Sequence, residues 1–267
     1  PSPCRTRQAK GAGPRDVPMP ESLTMTAPLE LSIVVPVHNE SGNVEQLVRE
    51  IATALEGRAF EMVFVDDAST DDTRAVLVGL KDEFPMLRVL SHRKNSGQSR
   101  AIRTGIRGAR GRMVGTLDGD GQNPPADIAR LVEAYRQQAQ ASRCLVVGWR
   151  RTRNDSALRR LSSRVANGLR GALLGDGCPD TGCGLKVFAR DDFLALPRFR
   201  HMHRFLPALF VRAGAQVISV PVAHRPRRAG RSKYGVGNRL WTGLLDMAGV
   251  YWLQRRACRI DYEVDDV

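Results

Sequence analysis

Asp118 and Asp120 stand two residues apart in the run DGDGQNPP (118–125), directly after the apolar stretch 113–117. One extended residue between two carboxylates lets both converge on a hard cation, and Gln122 offers a third oxygen. A calcium loop starts with the same spacing, but Asn123 stands where that loop needs glycine and Ala129 where it needs its closing glutamate. A polar turn between strand and helix is the plainer alternative. Three more apolar runs end in polar residues: PVHNE (36–40), DDAST (66–70), and a segment holding Asn95, Gly97 and Gln98. Asp66 and Asp67 repel each other unless partnered. A nucleobase N–H and ribose hydroxyls would supply partners, while a simple cap for the helix starting near Asp71, through Ser69 or Thr70, competes with that reading. Neither a dinucleotide fingerprint after the first strand nor a phosphate-binding P-loop occurs. Cys178 and Cys183 with His201 and His203 do not have the spacing of a structural zinc site.

The elements that must carry these ends follow from the punctuation. Apolar runs of five to seven residues alternate with amphipathic stretches from Leu31 onward, the signature of a parallel sheet with crossover helices. Strands are expected over 31–37, 62–65, 87–90, 113–117 and 144–147, with helices over 43–56, 71–80, 98–109 and 126–138; Asn43 is the expected cap of the first helix. In such a sheet ligands bind beyond the carboxyl ends of the strands, where all four polar segments lie. After Trp149 the alternation breaks. An arginine-dense stretch from Arg150 to Arg164, with Leu158, Leu161, Val165, Leu169 and Leu173 on one face, reads as a basic amphipathic helix. Residues 185–189 and 217–220 read as strands of a different sense. The helix expected over 238–256 places Trp241, Tyr251 and Trp252 near Arg255 and Arg256, a composition suited to a bilayer interface.

The 267 residues carry a formal net charge of +13, unevenly distributed. Residues 29–149 hold 15 basic and 16 acidic side chains, residues 150–259 hold 22 basic and 6 acidic, and 260–267 hold 4 acidic. Such a basic half predicts an anionic partner. No apolar run of 18 residues occurs, and five irregularly spaced cysteines argue for a reducing compartment. Residues 1–28 are expected to be a disordered basic tail, with Met19 or Met25 as the true start.

On the motifs PVHNE, VDDASTDDT, NSGQSRAIRTG (95–105), DGDGQNPP, DTGCGLKVFAR (180–190) and RAGRSKYG (228–235), the sequence resembles the inverting family 2 glycosyltransferases, in the branch of dolichyl-phosphate mannose synthase and bacterial polyprenyl-phosphate glycosyltransferases. The resemblance implies an α/β fold of GT-A type, a mostly parallel central sheet with helices on both faces, over 29–236, followed by an amphipathic helix and acidic tail over 237–267. It implies that Pro36, Glu40, Asp66, Asp67 and Asp118 bind the nucleotide and that Asp118, Asp120 and Gln122 hold Mg²⁺ or Mn²⁺. Arg228 and Lys233, with Asp180, would act at the reacting phosphates, and Lys186 and Ser232 would bind the acceptor phosphate. The implied partners are a nucleotide-sugar donor, a polyprenyl phosphate acceptor, an anionic membrane surface and a membrane-anchoring subunit. The place implied is the cytoplasmic, inner face of the plasma membrane, with peripheral attachment. The sequence has His38 where the family often has Tyr and Lys186 where it commonly has Arg, which turns a bidentate clamp into a point charge. A hydroxyl acceptor would need Asp180 as general base; a phosphate acceptor, already ionised, would not. A nucleic-acid-binding protein would account for the charge but not for DGDGQNPP.

Overall fold

The computed structural model describes residues 29–139, 141–150, 168, 170, 171, 173–226 and 237–256. The expectations for residues 1–28, for most of the arginine-dense stretch, for the acidic tail, and for Arg228, Ser232 and Lys233 lie outside the described residues.

The chain alternates β1 (Leu31–Val37), α1 (Ser41–Ala54), β2 (Phe60–Asp66), α2 (Thr73–Gly79), β3 (Leu87–Ser91), α3 (Gln98–Gly108) and β4 (Met113–Thr116). A 3₁₀ turn (Pro125–Asp127) leads into α4 (Ile128–Ala139), then β5 (Cys144–Arg150), β6 (Lys186–Ala189), α5 (Arg190–Leu194), a second 3₁₀ turn (Met202–Arg204), α6 (Leu206–Arg212), β7 (Gln216–Val222) and α7 (Gly237–Arg255). The strands form a sheet of order β3-β2-β1-β4-β6-β5-β7. β1 runs parallel to β2 and β4, and β2 to β3. β6 is antiparallel to both β4 and β5, and β7 is parallel to β5. Two reversals cancel, so β5 and β7 point the same way as β1–β4. The expected change of sense is therefore right for 185–189 and wrong for 217–220.

Both faces of the sheet are covered, which is why its strands read as unbroken apolar runs. Leu31, Ile33, Val35 and Val37 pack in one core with Val44, Leu47, Val48 and Ile51 of α1. Val34, Val63 and Val65 pack in the other with Ala101, Ile102 and Ile106 of α3. Gly105 lets α3 lie close on the sheet, since a Cβ there would sit 3.0 Å from the Val65 Cγ2.

Helix starts depart from the sequence reading. α1 begins at Ser41 with Glu40 at the cap position, and Asn43 is buried in the first turn, where its amide donates to the Glu40 Oε2 at 2.7 Å. α2 is shorter than expected because Asp71 and Asp72 belong to the loop before it. The basic helix is corrected at its start, while the described residues at its far end, 168, 170, 171 and 173, are helical as expected. Arg150 closes β5, and Arg170 is buried, its Nη1 2.7 Å from the Asp176 Oδ2. These two arginines are internal ion-pair partners, of Asp180 and Asp176 respectively. α7 is tied to the main body: Val250 is buried, the Arg212 Nε donates to the Leu253 carbonyl at 2.9 Å, and the Gln254 amide donates to the Leu174 carbonyl at 2.8 Å.

Candidate active site

The carboxyl ends of β1 and β2 are stitched into one ledge. Asn39, at φ 53°, takes the Thr70 N–H on its Oδ1 at 2.7 Å, and its own N–H donates to the Ser69 hydroxyl at 2.9 Å. The Glu40 N–H donates to the Thr73 Oγ1 at 2.8 Å, and the Asp67 N–H to the Val37 carbonyl at 2.8 Å. Pro36 lies past the last β1–β4 pair, Val34 with Thr116, so its missing N–H costs the ladder nothing on that side.

Asp66 and Asp67 find much of their company inside the protein. The Asp67 carboxylate accepts the N–H groups of Ser96 at 2.8 Å and Gly97 at 2.7 Å, and His92 Nδ1 lies 2.7 Å away. It thereby fixes the start of α3. Asp66 Oδ1 accepts the Ser69 N–H at 3.0 Å.

Asp118, at the end of β4, stands in a different environment. The Gln98 amide donates to its Oδ1 at 2.9 Å. Burial pushes its pKa up to about 6, the neighbouring Asp120 adds to the rise, and Lys186, Arg150 and Gln98 oppose it. The loop 181–184 wraps the carboxylate so closely that a side chain on Gly184 would occupy the same space. That loop is held by the Thr116 hydroxyl, which donates to the Gly184 carbonyl at 2.7 Å. Two crowded carboxylates, one with a raised pKa, are the donor set that a divalent cation satisfies. Among the described residues no group of three or more His, Cys, Asp or Glu side chains gathers that could hold a metal. Two carboxylates alone suit a Mg²⁺-like ion that keeps water or phosphate oxygens as its other ligands. Gln122 contributes its backbone to the turn: its N–H donates to the Asp120 Oδ1 at 3.1 Å.

A cavity of about 200 Å³ opens beside Asp118, bounded by Pro36 and Gln98 on one side and by Thr181, Lys186, His203 and Arg204 on the other. Lys186 is buried, and its ammonium donates to the carbonyls of Cys183 and Thr181. Asp180 is buried and forks onto Arg150, with Oδ2 2.6 Å from Nε and Oδ1 2.8 Å from Nη2. Burial lowers the Arg150 pKa, and the hydrogen bond to Asp180 more than offsets it, so the net shift is upward. The pair thus sits behind the cavity wall with its charges matched, Arg150 partly offsets the rise of the Asp118 pKa, and Asp180 is poorly placed to accept a substrate proton.

Three residues escaped the sequence reading. Arg150 looked like the start of a helix, yet it ends β5 and anchors Asp180. His203 has no zinc-site spacing to mark it in the sequence; its Nδ1 lies 2.6 Å from the Ser99 hydroxyl, and burial first, then Arg204, Lys186 and His201, push its pKa down to about 3, so it lines the cavity as a neutral donor or acceptor. Arg225 staples the DGDGQ turn: its Nε donates to the Gly121 carbonyl at 2.7 Å, its N–H to the Gln122 carbonyl at 3.0 Å, and its guanidinium pairs with Glu50 of α1. The run AHRPRR just ahead of RAGRSKYG was the available signal for Arg225.

The sequence profile of glycosyl transferase family 2 matches residues 32–196. The chain is 37% identical over 241 residues to the dodecaprenyl-phosphate galacturonate synthase of Rhizobium johnstonii, covering 86% of this chain and 69% of that one. It is 38% identical over 221 residues to the undecaprenyl-phosphate 4-deoxy-4-formamido-L-arabinose transferase of Sodalis glossinidius, covering 79% of this chain and 66% of that one. The chain therefore spans about two thirds of the length of these relatives. Among solved structures, glucosyl-3-phosphoglycerate synthase from Mycobacterium tuberculosis, crystallised with Mn²⁺ and UDP, superposes with a TM-score of 0.62 at 20% identity over 85% of this chain and 80% of that one. This likeness shows the GT-A fold that the sequence resemblance implied.

Proposed function

The chain belongs to glycosyl transferase family 2, and we propose that it moves a sugar, with inversion, from a nucleotide-sugar to a polyprenyl phosphate at the inner face of the plasma membrane. The observation that carries this reading is the two-signed cavity: the buried carboxylate of Asp118, with Asp120 next to it in the turn, faces the cations Lys186 and Arg204 that line the same cavity. The names of the two curated relatives, each a transferase or synthase on a polyprenyl phosphate, support the same acceptor.

The parts divide the work by charge. Pro36, Glu40, Asp66 and Asp67 form the ledge for the nucleoside, with Asp67 acting mainly by holding the α3 N-terminus against it. Asp118 and Asp120 would hold Mg²⁺ or Mn²⁺, which when bound would neutralise the departing diphosphate. The cationic wall attracts the acceptor phosphate, and Arg228, Ser232 and Lys233 are proposed to complete it. Because a phosphate monoester oxygen is already anionic at neutral pH, it needs orientation more than a base. Asp180, forked onto Arg150, suits that requirement as a positioning residue. Attachment is proposed to be peripheral. No helix among the described residues is long and apolar enough to cross a membrane. α7 exposes Leu244, Leu245 and Trp252, with Leu245 73% exposed, and Arg256 lies over the Trp252 ring at 5.9 Å.

The test is a panel of labelled UDP-, GDP- and dTDP-sugars with undecaprenyl phosphate and Mn²⁺, read as label extracted into the lipid phase. One donor should label lipid, and Asp180→Asn should retain measurable turnover at saturating donor. Transfer to a glycan hydroxyl with no lipid product, together with complete loss in Asp180→Asn at every pH, would replace this reading with the hydroxyl-acceptor one.

A further inference from the structure

α3 separates two cavities. Its Gln98 and Ile102 face the one beside Asp118, while Arg100, Arg103 and Arg107 line another, an open cavity of about 280 Å³, together with Thr104, Ser96 and His92. The spacing i, i+3, i+7 puts the three guanidinium groups on one helical face, so they are neighbours by construction. Nothing in the sugar-transfer reading uses them. Like charges on adjacent turns repel, and an ordinary surface helix would intersperse acids to relieve that. Here the groups that shift the Arg103 pKa downward are, after burial itself, two further cations, Arg198 and Arg107. The Nη1 of Arg103 is buried and has no hydrogen-bond partner among the described residues. An unpaired buried guanidinium N–H shows that the protein itself does not compensate this cluster of cations.

We propose that this arginine-lined cavity is a second anion site, built for the phosphate group of a mono- or diester and distinct from the sugar-transfer cavity. The planar fork of arginine matches phosphate oxygens bidentately, and Thr104 adds a hydroxyl among the lining residues. The volume is several times the roughly 30 Å³ that a water molecule occupies in the liquid, leaving room for a phosphate with its substituent. Two sources share this chemistry, a free phosphate compound and the headgroup of an acidic phospholipid. The site also touches the donor ledge. His92 stands between them, its Nε2 2.9 Å from the Thr104 hydroxyl and its Nδ1 2.7 Å from Asp67. An anion held beside Thr104 would thus stiffen the same loop that Asp67 fastens.

The experiment compares the whole chain with Arg103→Gln, Arg107→Gln and the double variant. Inorganic phosphate is titrated calorimetrically in EDTA at constant ionic strength, and flotation is measured with vesicles of phosphatidylcholine with and without phosphatidylglycerol. Arg112→Gln, which removes an exposed arginine outside the cavity, controls for net charge. Loss of one charged hydrogen-bond donor should weaken phosphate binding about tenfold or more, and the double variant further. If the source is free phosphate, flotation of the variants matches the wild type; if it is a lipid headgroup, the variants lose flotation on phosphatidylglycerol vesicles alone. Either pattern, with Arg112→Gln unchanged, supports the site. Superposable isotherms and flotation for wild type and double variant, or an equal loss in Arg112→Gln, overturn it. Melting curves accompany each variant, and Arg100→Gln with Arg107→Gln, both at exposed lining positions, carry the test if Arg103→Gln does not fold. None of these readouts needs sugar transfer, so failure here and failure of the transferase reading are separately visible.

Discussion

β2 and β4 each end in closely spaced carboxylates, and the two ends have opposite fates. Asp67 accepts two backbone N–H groups and lies against His92, so its charge is spent on holding the β3–α3 loop. Asp118, also just past a strand end, has one neutral amide and an acidic neighbour, and burial outweighs the opposing charges of Lys186 and Arg150, so its pKa rises to about 6. A carboxylate satisfied by its own chain stabilises the fold, whereas one left crowded and desolvated is held in readiness for a ligand. The difference lies in the loops, since residue type and strand position are the same.

The largest expected effect follows from removing the crowded charge. Asp118→Asn should reduce sugar transfer by about 10²- to 10³-fold or more, the usual cost of losing one well-placed electrostatic group. It should leave melting unchanged or raise it. Without metal, the wild type has a further signature. A folded pKa of about 6 against an ordinary 3.8 means the folded state holds the proton more tightly. Stability from this group is full below about pH 4 and lost as pH rises through about 6, a change of at most about 3 kcal/mol. Asp118→Asn should flatten that window. A wild-type melting temperature in EDTA that does not fall between these values, relative to the variant, would remove the argument for a strained carboxylate.

Asp67→Ala should behave in the opposite way, with stability hit first. It would leave the Ser96 and Gly97 N–H groups and His92 without their acceptor, a loss of about 3 kcal/mol. Chemical denaturation measures it. A drop under about 1 kcal/mol with transfer abolished would move Asp67 from holding α3 to binding the donor directly.

Gly184→Ala probes the loop rather than the charge. The added methyl collides with the Asp118 carboxylate and must displace it or the loop. Misplacement of about 1 Å at a reacting centre can cost about 10²-fold in rate. Transfer should fall by that order while the denaturation midpoint shifts little. Normal kinetics in Gly184→Ala would mean that the carboxylate has another stable position.

How much of this could be read from the sequence divides along the same line. The strand ends were legible because parallel strands buried on both faces leave long apolar runs, and the polar residues after them stand out. The sense of β7 was not, because it depends on β6 reversing twice between β4 and β5, a pairing far apart in the chain. The partners of the charges were also hidden. Arg225 meets Glu50 across 175 residues, so part of the net charge of +16 over 150–259 is compensated from outside the segment, and Arg150 meets Asp180 across 30, so even the charges that cancel within it are placed by the fold.

The smallest expected effect concerns the ledge between the two ends. The Asp71 Oδ1 accepts the Thr73 N–H at 3.1 Å and its hydroxyl, its Oδ2 accepts the Ser41 N–H at 3.2 Å, and Thr73 in turn holds the Glu40 N–H. Burial would raise the Asp71 pKa, but the hydrogen bonds from Thr73 and Ser41 outweigh it and bring it down to about 2. A lowered carboxylate pKa stabilises above the ordinary value of 3.8 and loses that contribution as pH falls toward 2. Because the side chain is exposed, water screens most of this, and Asp71→Ala should cost only about 1 kcal/mol, as for a helix cap. Its kinetic effect should be confined to the donor: a rise of a few-fold in the KM for nucleotide-sugar with kcat unchanged, since Glu40 is loosened but no group at Asp118 moves. A fall in kcat at saturating donor would show that the ledge and the Asp118 cavity are mechanically one unit, and the contrast between the two strand ends would then have to be drawn elsewhere.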